Sequence, residues 1–195
     1  ARTTADREGV HCGFCHRLVK PTLIGVNPYP SDQFYTDNTY AADQKYLATI
    51  QAIPTTPGNG SFIVDSDNTK RGPFTDAGAK HKIFYAPYHS QSDICGICHD
   101  VSNPVYSRNP DGTYSANSFN QAAPSLNTYD LFPVERTYSE WLKSTYNTPG
   151  GVYAPQFGGN KQYVSTCQDC HLKDITGYAA NKTSAVLRTN LPFHD

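Results

Sequence analysis

All six cysteines of this chain fall into three copies of one spacing: Cys12-Gly13-Phe14-Cys15-His16, Cys95-Gly96-Ile97-Cys98-His99 and Cys167-Gln168-Asp169-Cys170-His171. Two thiols three positions apart lie on one face of a helical turn, matching the separation of the two vinyl groups of a haem. The His that follows projects its imidazole toward the iron, and C-x-x-C-H is the attachment signature of c-type haem. A disulfide framework gives no reason to place His after every second Cys, and structural zinc, which takes four ligands, would leave one of three pairs unpartnered. With 7 His in 195 residues, that His recurring in all three copies by chance is a coincidence of roughly 5 in 100,000, so the haem motif stands clear of accident. The sequence therefore predicts three covalent c-type haems. Cys12, Cys15, Cys95, Cys98, Cys167 and Cys170 are the attachment thiols, and His16, His99 and His171 the proximal iron ligands.

Haem iron in an electron carrier takes two protein ligands. The chain has no Met, so His/Met ligation is impossible and the distal candidates are His81, His89, His194 and His11. Three irons need three of these four, and the inventory closes as three bis-His sites with one His to spare. That count argues against an enzyme, which needs an iron left open for substrate, and it predicts low reduction potentials. His81 and His89 lie just upstream of the second motif, where they read as distal ligands to different haems. His194 sits in Leu191-Pro192-Phe193-His194-Asp195. His11 touches Cys12, so it points away from the first haem and toward another, with a propionate or solvent as its alternative partner. Asp100 and Asp195 stand beside imidazoles they could orient, although acidic loop residues are more often solvated.

The elements that must hold these groups look thin. Charged residues make up 17% of the chain where roughly 25% is ordinary, and the apolar fraction of 37% is also low. A chain so rich in Tyr, Thr, Ser, Asn, Gly and Pro is short of material for a core of its own. Porphyrins would supply it, with the abundant Tyr and Phe packing on their faces and edges. A net charge of −1 points to no nucleic-acid partner, and no run of about 18 apolar residues predicts a membrane span. The polar stretch beginning at Ala1 carries no signal-peptide pattern, as in a chain already processed.

The fold class expected is mostly irregular and loop-rich, with short α-helices and a few short β-hairpins organised around covalently bound haems in a single domain, 1–195. Short helices should carry each motif. Residues 41–52 predict a helix with Tyr46, Leu47 and Ile50 on one face, and 135–146 a second with Tyr138, Trp141, Leu142 and Thr145 buried. That helix should stop before Thr148-Pro149-Gly150-Gly151. Residues 105–108 and 113–115 flank Asn109-Pro110-Asp111-Gly112 as a hairpin, and 61–64 read as a strand followed by a turn at 65–68. Residues 21–40 and 52–60 read as coil.

Several stretches form a recognisable series: Gly9-Val10-His11-Cys12-Gly13-Phe14-Cys15-His16-Arg17, Arg71-Gly72-Pro73-Phe74, Ser92-Asp93-Ile94-Cys95 through Asn103-Pro104, Glu135-Arg136-Thr137-Tyr138-Ser139-Glu140-Trp141, and the third motif. Together they resemble bacterial multihaem cytochromes of the group related to the tetrahaem cytochromes of nitrification. Such relatives are usually longer, with further haems after a Leu-Pro-x-His segment, whereas this chain stops there. The resemblance implies closely spaced haems passing electrons between redox donor and acceptor proteins or extracellular acceptors, with haem attached outside the cytoplasm. The loop-rich, polar chain also resembles extracellular cytochrome filaments, in which a His of one subunit ligates a haem of the next. It implies a head-to-tail self-polymer through His194 or His11 and an extracellular or cell-surface location. The alternatives are a soluble periplasmic carrier and, less favoured, a multihaem oxidoreductase with one open iron. Asn59-Gly60-Ser61 and Asn181-Lys182-Thr183 match the glycosylation sequon.

Overall fold

The computed structural model describes residues 10–21, 43, 45–54 and 56–194. The chain divides into two compact units, one of Ala1–Ile53, Ile63–Ser90 and Tyr178–Arg188, the other of Pro54–Phe62, Gln91–Gly177 and Thr189–Asp195. As the composition predicts, the structure is mixed and loop-rich, with few short helices and small sheets; the longest described helix has 7 residues.

In the first unit α1, Cys12–Cys15, is a single turn whose end is marked by the His16 N–H bond to Cys12 O at 3.0 Å. Strand β1, Leu18–Val19, pairs antiparallel with β2, Ile63–Val64, and β3, Lys70–Gly72, runs parallel to β4, Ile83–Tyr85. The apolar core is small: Val19, Leu47 and Ile63, flanked by Tyr46, Ile50 and Ile53. The helix predicted over 41–52 lies partly outside the described residues. Asp43 and Lys45 to Leu47 are helical, and the chain turns at Ala48 instead of continuing to residue 52. Its predicted face of Tyr46, Leu47 and Ile50 does meet the core. The strand expected over 61–64 shrinks to β2, because Ser61 closes a turn on Gly58 O at 2.9 Å. The coil expected over 21–40 lies, beyond Pro21, outside the described residues.

In the second unit α2, Asp93–Gly96, precedes β5, Val101–Arg108, the central strand of a three-stranded sheet between β6, Tyr114–Ala116, and β7, Leu131–Glu135. The predicted hairpin is present: Arg108 faces Tyr114 across a turn in which Gly112 takes φ +85°, a conformation glycine adopts without steric cost. The β5–β7 register shifts between Asn103 and Ser107, spanning Pro104, which has no N–H to give a ladder. Helix α3, Thr137–Lys143, is shorter than predicted at both ends. Glu135 is still strand, paired with Val101, and Ser144 leaves the helix with extended φ and ψ. Only Tyr138 is buried on it, while Leu142 is 39% exposed and Thr145 is exposed. A two-turn helix packed on α2 buries one narrow face. Strands β8, Val152–Tyr153, and β9, Tyr163–Val164, form an antiparallel pair. Helix α4, Cys167–His171, leads into β10, Asp174–Tyr178, which shares a sheet with β11, Leu187–Pro192.

Among the described residues no helix is long and apolar enough to cross a membrane. Eleven apolar side chains among the described residues are buried and seventeen large ones are exposed, Phe119 and Leu126 beyond 85%.

Candidate functional site

Each Cys-x-x-Cys-His segment is helical at its first cysteine, as the spacing predicts. In the first, the N-cap of α1 is His11, whose Nδ1 accepts the Gly13 N–H at 3.0 Å. An Nδ1 that accepts puts the proton of neutral imidazole on Nε2, so in this arrangement His11 is a helix cap. A Cβ on Gly13 would stand 2.8 Å from the His11 ring, so glycine is what lets the ring fold over the turn. His16 donates Nδ1–H to Arg71 O at 2.6 Å, and Arg71 N–H returns a bond to His16 O at 2.6 Å. That fixes the tautomer and leaves Nε2 as the lone-pair nitrogen.

Arg71 is held in turn. Its side chain is 1% exposed and reaches Asp43 at 2.6 Å and Asp65 at 2.7 Å. Burial pushes the Asp43 carboxyl above its usual range, while the two carboxylates outweigh burial at Arg71 and hold its guanidinium charged. The 3-10 turn Pro87–Ser90 follows β4 and brings His89 to the same place. Its ring centre lies 5.7 Å from that of His16, with the planes 10° from parallel. His89 donates Nε2–H to Cys15 O at 3.0 Å, and desolvation pushes its pKa down to about 4, so the imidazole is neutral. Thus the first pair of cysteines, a proximal candidate and a distal candidate converge.

The second and third segments also meet. Cys167 N–H donates to Ser92 Oγ at 3.0 Å and Gln168 Nε2–H to Gln91 O at 2.8 Å, tying the start of α4 to the residues before α2. The Cys167 thiol lies in hydrogen-bonding reach of the Cys95 thiol, which pulls its pKa down to about 6, whereas burial pushes Cys98 and Cys170 up. Beyond α2, His99 keeps the turn closed through its N–H to Cys95 O at 2.9 Å, and Tyr138 N–H caps His99 O at 2.9 Å. A Cβ on Gly96 would stand 2.6 Å from the Tyr138 ring, so any side chain at this second position forces the ring to shift. His99 donates Nδ1–H to Glu135 Oε1 at 3.1 Å, and Glu135 also accepts from Thr137 Oγ1 at 2.8 Å. The bonds from Thr137 and His99 hold the Glu135 carboxyl below its usual range. Helix α4 starts with a capping box, Thr166 and Asp169 each satisfying the other's backbone N–H. Lys161 joins Asp169 at 2.6 Å. Burial pushes Asp169 up, but the bonds from Lys161, Thr166 and Ser165 prevail and hold it low.

The remaining candidates are not gathered onto these groups. His81 is exposed and donates Nδ1–H to Lys82 O at 3.2 Å. His194 is exposed, donates Nδ1–H to Pro192 O at 3.0 Å, and follows Phe193, whose N–H is bonded to Lys173 O just past α4. Both therefore present Nε2 as the lone-pair nitrogen. His171 closes α4 and is exposed. Asp100 is fully buried rather than solvated: it accepts from Tyr129 and Ser139 and pairs with Arg136 at 3.5 Å, with no described bond to His99. Asp195 lies outside the described residues. Among the described residues no three His, Cys, Asp or Glu side chains form a metal-holding cluster by themselves.

Arg71, Ser92, Gln168 and Glu135 gained no role from the sequence, because each acts across long chain separations. Thr166 and Asp169 were findable, as Thr-x-x-Asp before a helical segment is a capping signature. No family model, curated protein or solved structure matches the chain; the resemblance to multihaem cytochromes rests on its motifs.

Proposed function

We propose that this chain is an electron-transfer protein that holds three c-type haems and passes single electrons along them. The observation that carries the reading is the meeting of His16 and His89 beside Cys12 and Cys15. His16, whose Nε2 carries the lone pair, and His89, its ring centre 5.7 Å away, are the two imidazoles that would hold an iron beside these cysteines. His89 would exchange its bond to Cys15 O for the iron, while His16 keeps Nδ1–H on Arg71 O.

The residues present fit the group. His16 and His99 both have Nδ1 fixed by an acceptor, which leaves Nε2 to ligate. The outward-facing apolar side chains offer contact area that an apolar cofactor would cover. Bound there, haem supplies a reversible one-electron iron couple. The protein contributes the thiols, the imidazoles and their fixed tautomers. With His11 engaged as a cap, the distal set becomes His89, His81 and His194, one for each iron. The resemblance to cytochrome filaments supports a head-to-tail filament outside the cell, in which a His of one copy ligates a haem of the next.

Potentiometric titration with optical detection tests the reading. Expected are three low-potential one-electron couples with low-spin spectra and no turnover of nitrite or hydroxylamine. Turnover at a useful rate would replace electron transfer with the open-iron oxidoreductase. Electron microscopy of the native protein separates the polymer, seen as filaments, from the soluble carrier, seen as particles of one chain.

A further inference from the structure

We propose that Glu135 is a positioning residue for His99, and that its carboxylate sets the second haem's potential below the value a neutral acceptor would give; this rests on the electron-transfer reading above. The two proximal imidazoles with described Nδ1 partners are held differently. His16 donates to a backbone carbonyl, a neutral acceptor, whereas His99 donates to a carboxylate. A charged acceptor draws the Nδ1 proton toward itself, makes the imidazole more basic and favours the oxidised, more positive iron.

The carboxylate is placed for this task. Glu135 is the last residue of β7, opposite Val101 on the strand that leaves the second motif. Thr137 Oγ1 holds the same Oε1 that His99 reaches. The neighbouring cation does not compete for it: Arg136 is directed to Ser102, Thr128 and Asp100. The backbone of His99 is already fixed by Cys95 O on one side and the Tyr138 N–H on the other, so Glu135 governs the ring and its basicity rather than the path of the chain. The Glu135 side chain is 39% exposed, so water weakens the effect without removing it.

The test compares wild type, Glu135→Gln, Thr137→Val and Glu140→Gln, each first assayed for haem per chain and then titrated potentiometrically. Gln keeps an oxygen acceptor and loses the charge. In Glu135→Gln, one of the three couples should rise by about tenfold in its equilibrium constant, which is about 59 mV for one electron, with the other two unmoved. Thr137→Val removes the competing donor and should move the same couple downward by a smaller amount. Glu140→Gln removes an equal charge from exposed α3 surface and should move none. Three unmoved couples in a fully haem-loaded Glu135→Gln protein, or an equal shift in Glu140→Gln, would overturn the proposal while leaving electron transfer standing. A wild-type chain without haem would overturn both.

Discussion

The first motif and the second are built on opposite plans. Around Cys12–Cys15 the imidazole of His16 is locked to Arg71, and Arg71 is locked by two buried carboxylates. Around Cys95 and Cys98 the imidazole of His99 is 59% exposed and held by a carboxylate itself open to water. The first site draws its order from a buried charge cluster that reaches His16 through the Arg71 backbone. The second draws it from close packing, with the Tyr138 ring pressed onto Gly96 and stacked on Trp141 at 5.6 Å. A chain with little apolar core thus has two ways to order the turn that carries a His: a buried charge cluster, or an aromatic ring packed on the turn's glycine.

The charge cluster is the easier plan to break. Arg71→Met leaves Asp43 and Asp65 buried without their cation, which should cost about 3–5 kcal/mol. Denaturant unfolding should report that loss, accompanied by loss of the His16 environment, whereas Lys45→Met at an exposed position should cost little. At the second site Gly96→Ala forces a Cβ into the Tyr138 ring and should cost about 1–3 kcal/mol by overpacking. Tyr138→Ala in the same chain should relieve that clash, so the paired substitution tests whether the ring is what glycine accommodates.

The third motif sharpens the contrast with a titratable anchor. Asp169 has its folded pKa below the ordinary 3.8. Its contribution is therefore present in full above pH 3.8 and is lost as pH falls through the lower folded value. Acid unfolding followed by circular dichroism should show this loss in wild type, and Asp169→Asn should flatten that part of the curve. Smallest is Thr166→Ala, which removes the other half of the capping box and should cost about 1 kcal/mol. An equal cost in Asp169→Asn and the double substitution would show that the two act as one unit.

Much of the local structure was legible in the sequence. The motif helices follow from the cysteine spacing, and the hairpin from Asn109-Pro110-Asp111-Gly112, because both are decided within a few residues. Helix limits were less legible. Glu135 reads as a helix start until β5 claims it through Val101, a tertiary pairing that local propensity does not contain. The pairing of His16 with His89 spans 73 positions, and that of Cys167 with Ser92 spans 75, so neither leaves a periodic trace. Asp43, Asp65 and Arg71 carry no sign of their role in the sequence, since nothing short of the fold reveals that separate segments bury them together.

Everything proposed for these sites depends on the six cysteines holding haem rather than each other or a bare metal. The intact mass of the native protein under denaturing, reducing conditions, recorded with its pyridine haemochrome spectrum, tests it most directly. Three thioether-bound haems give a chain heavier by three haems, with no free thiols and a haemochrome spectrum of three per chain. A chain at its bare polypeptide mass, with six titratable thiols after reduction, would contradict it.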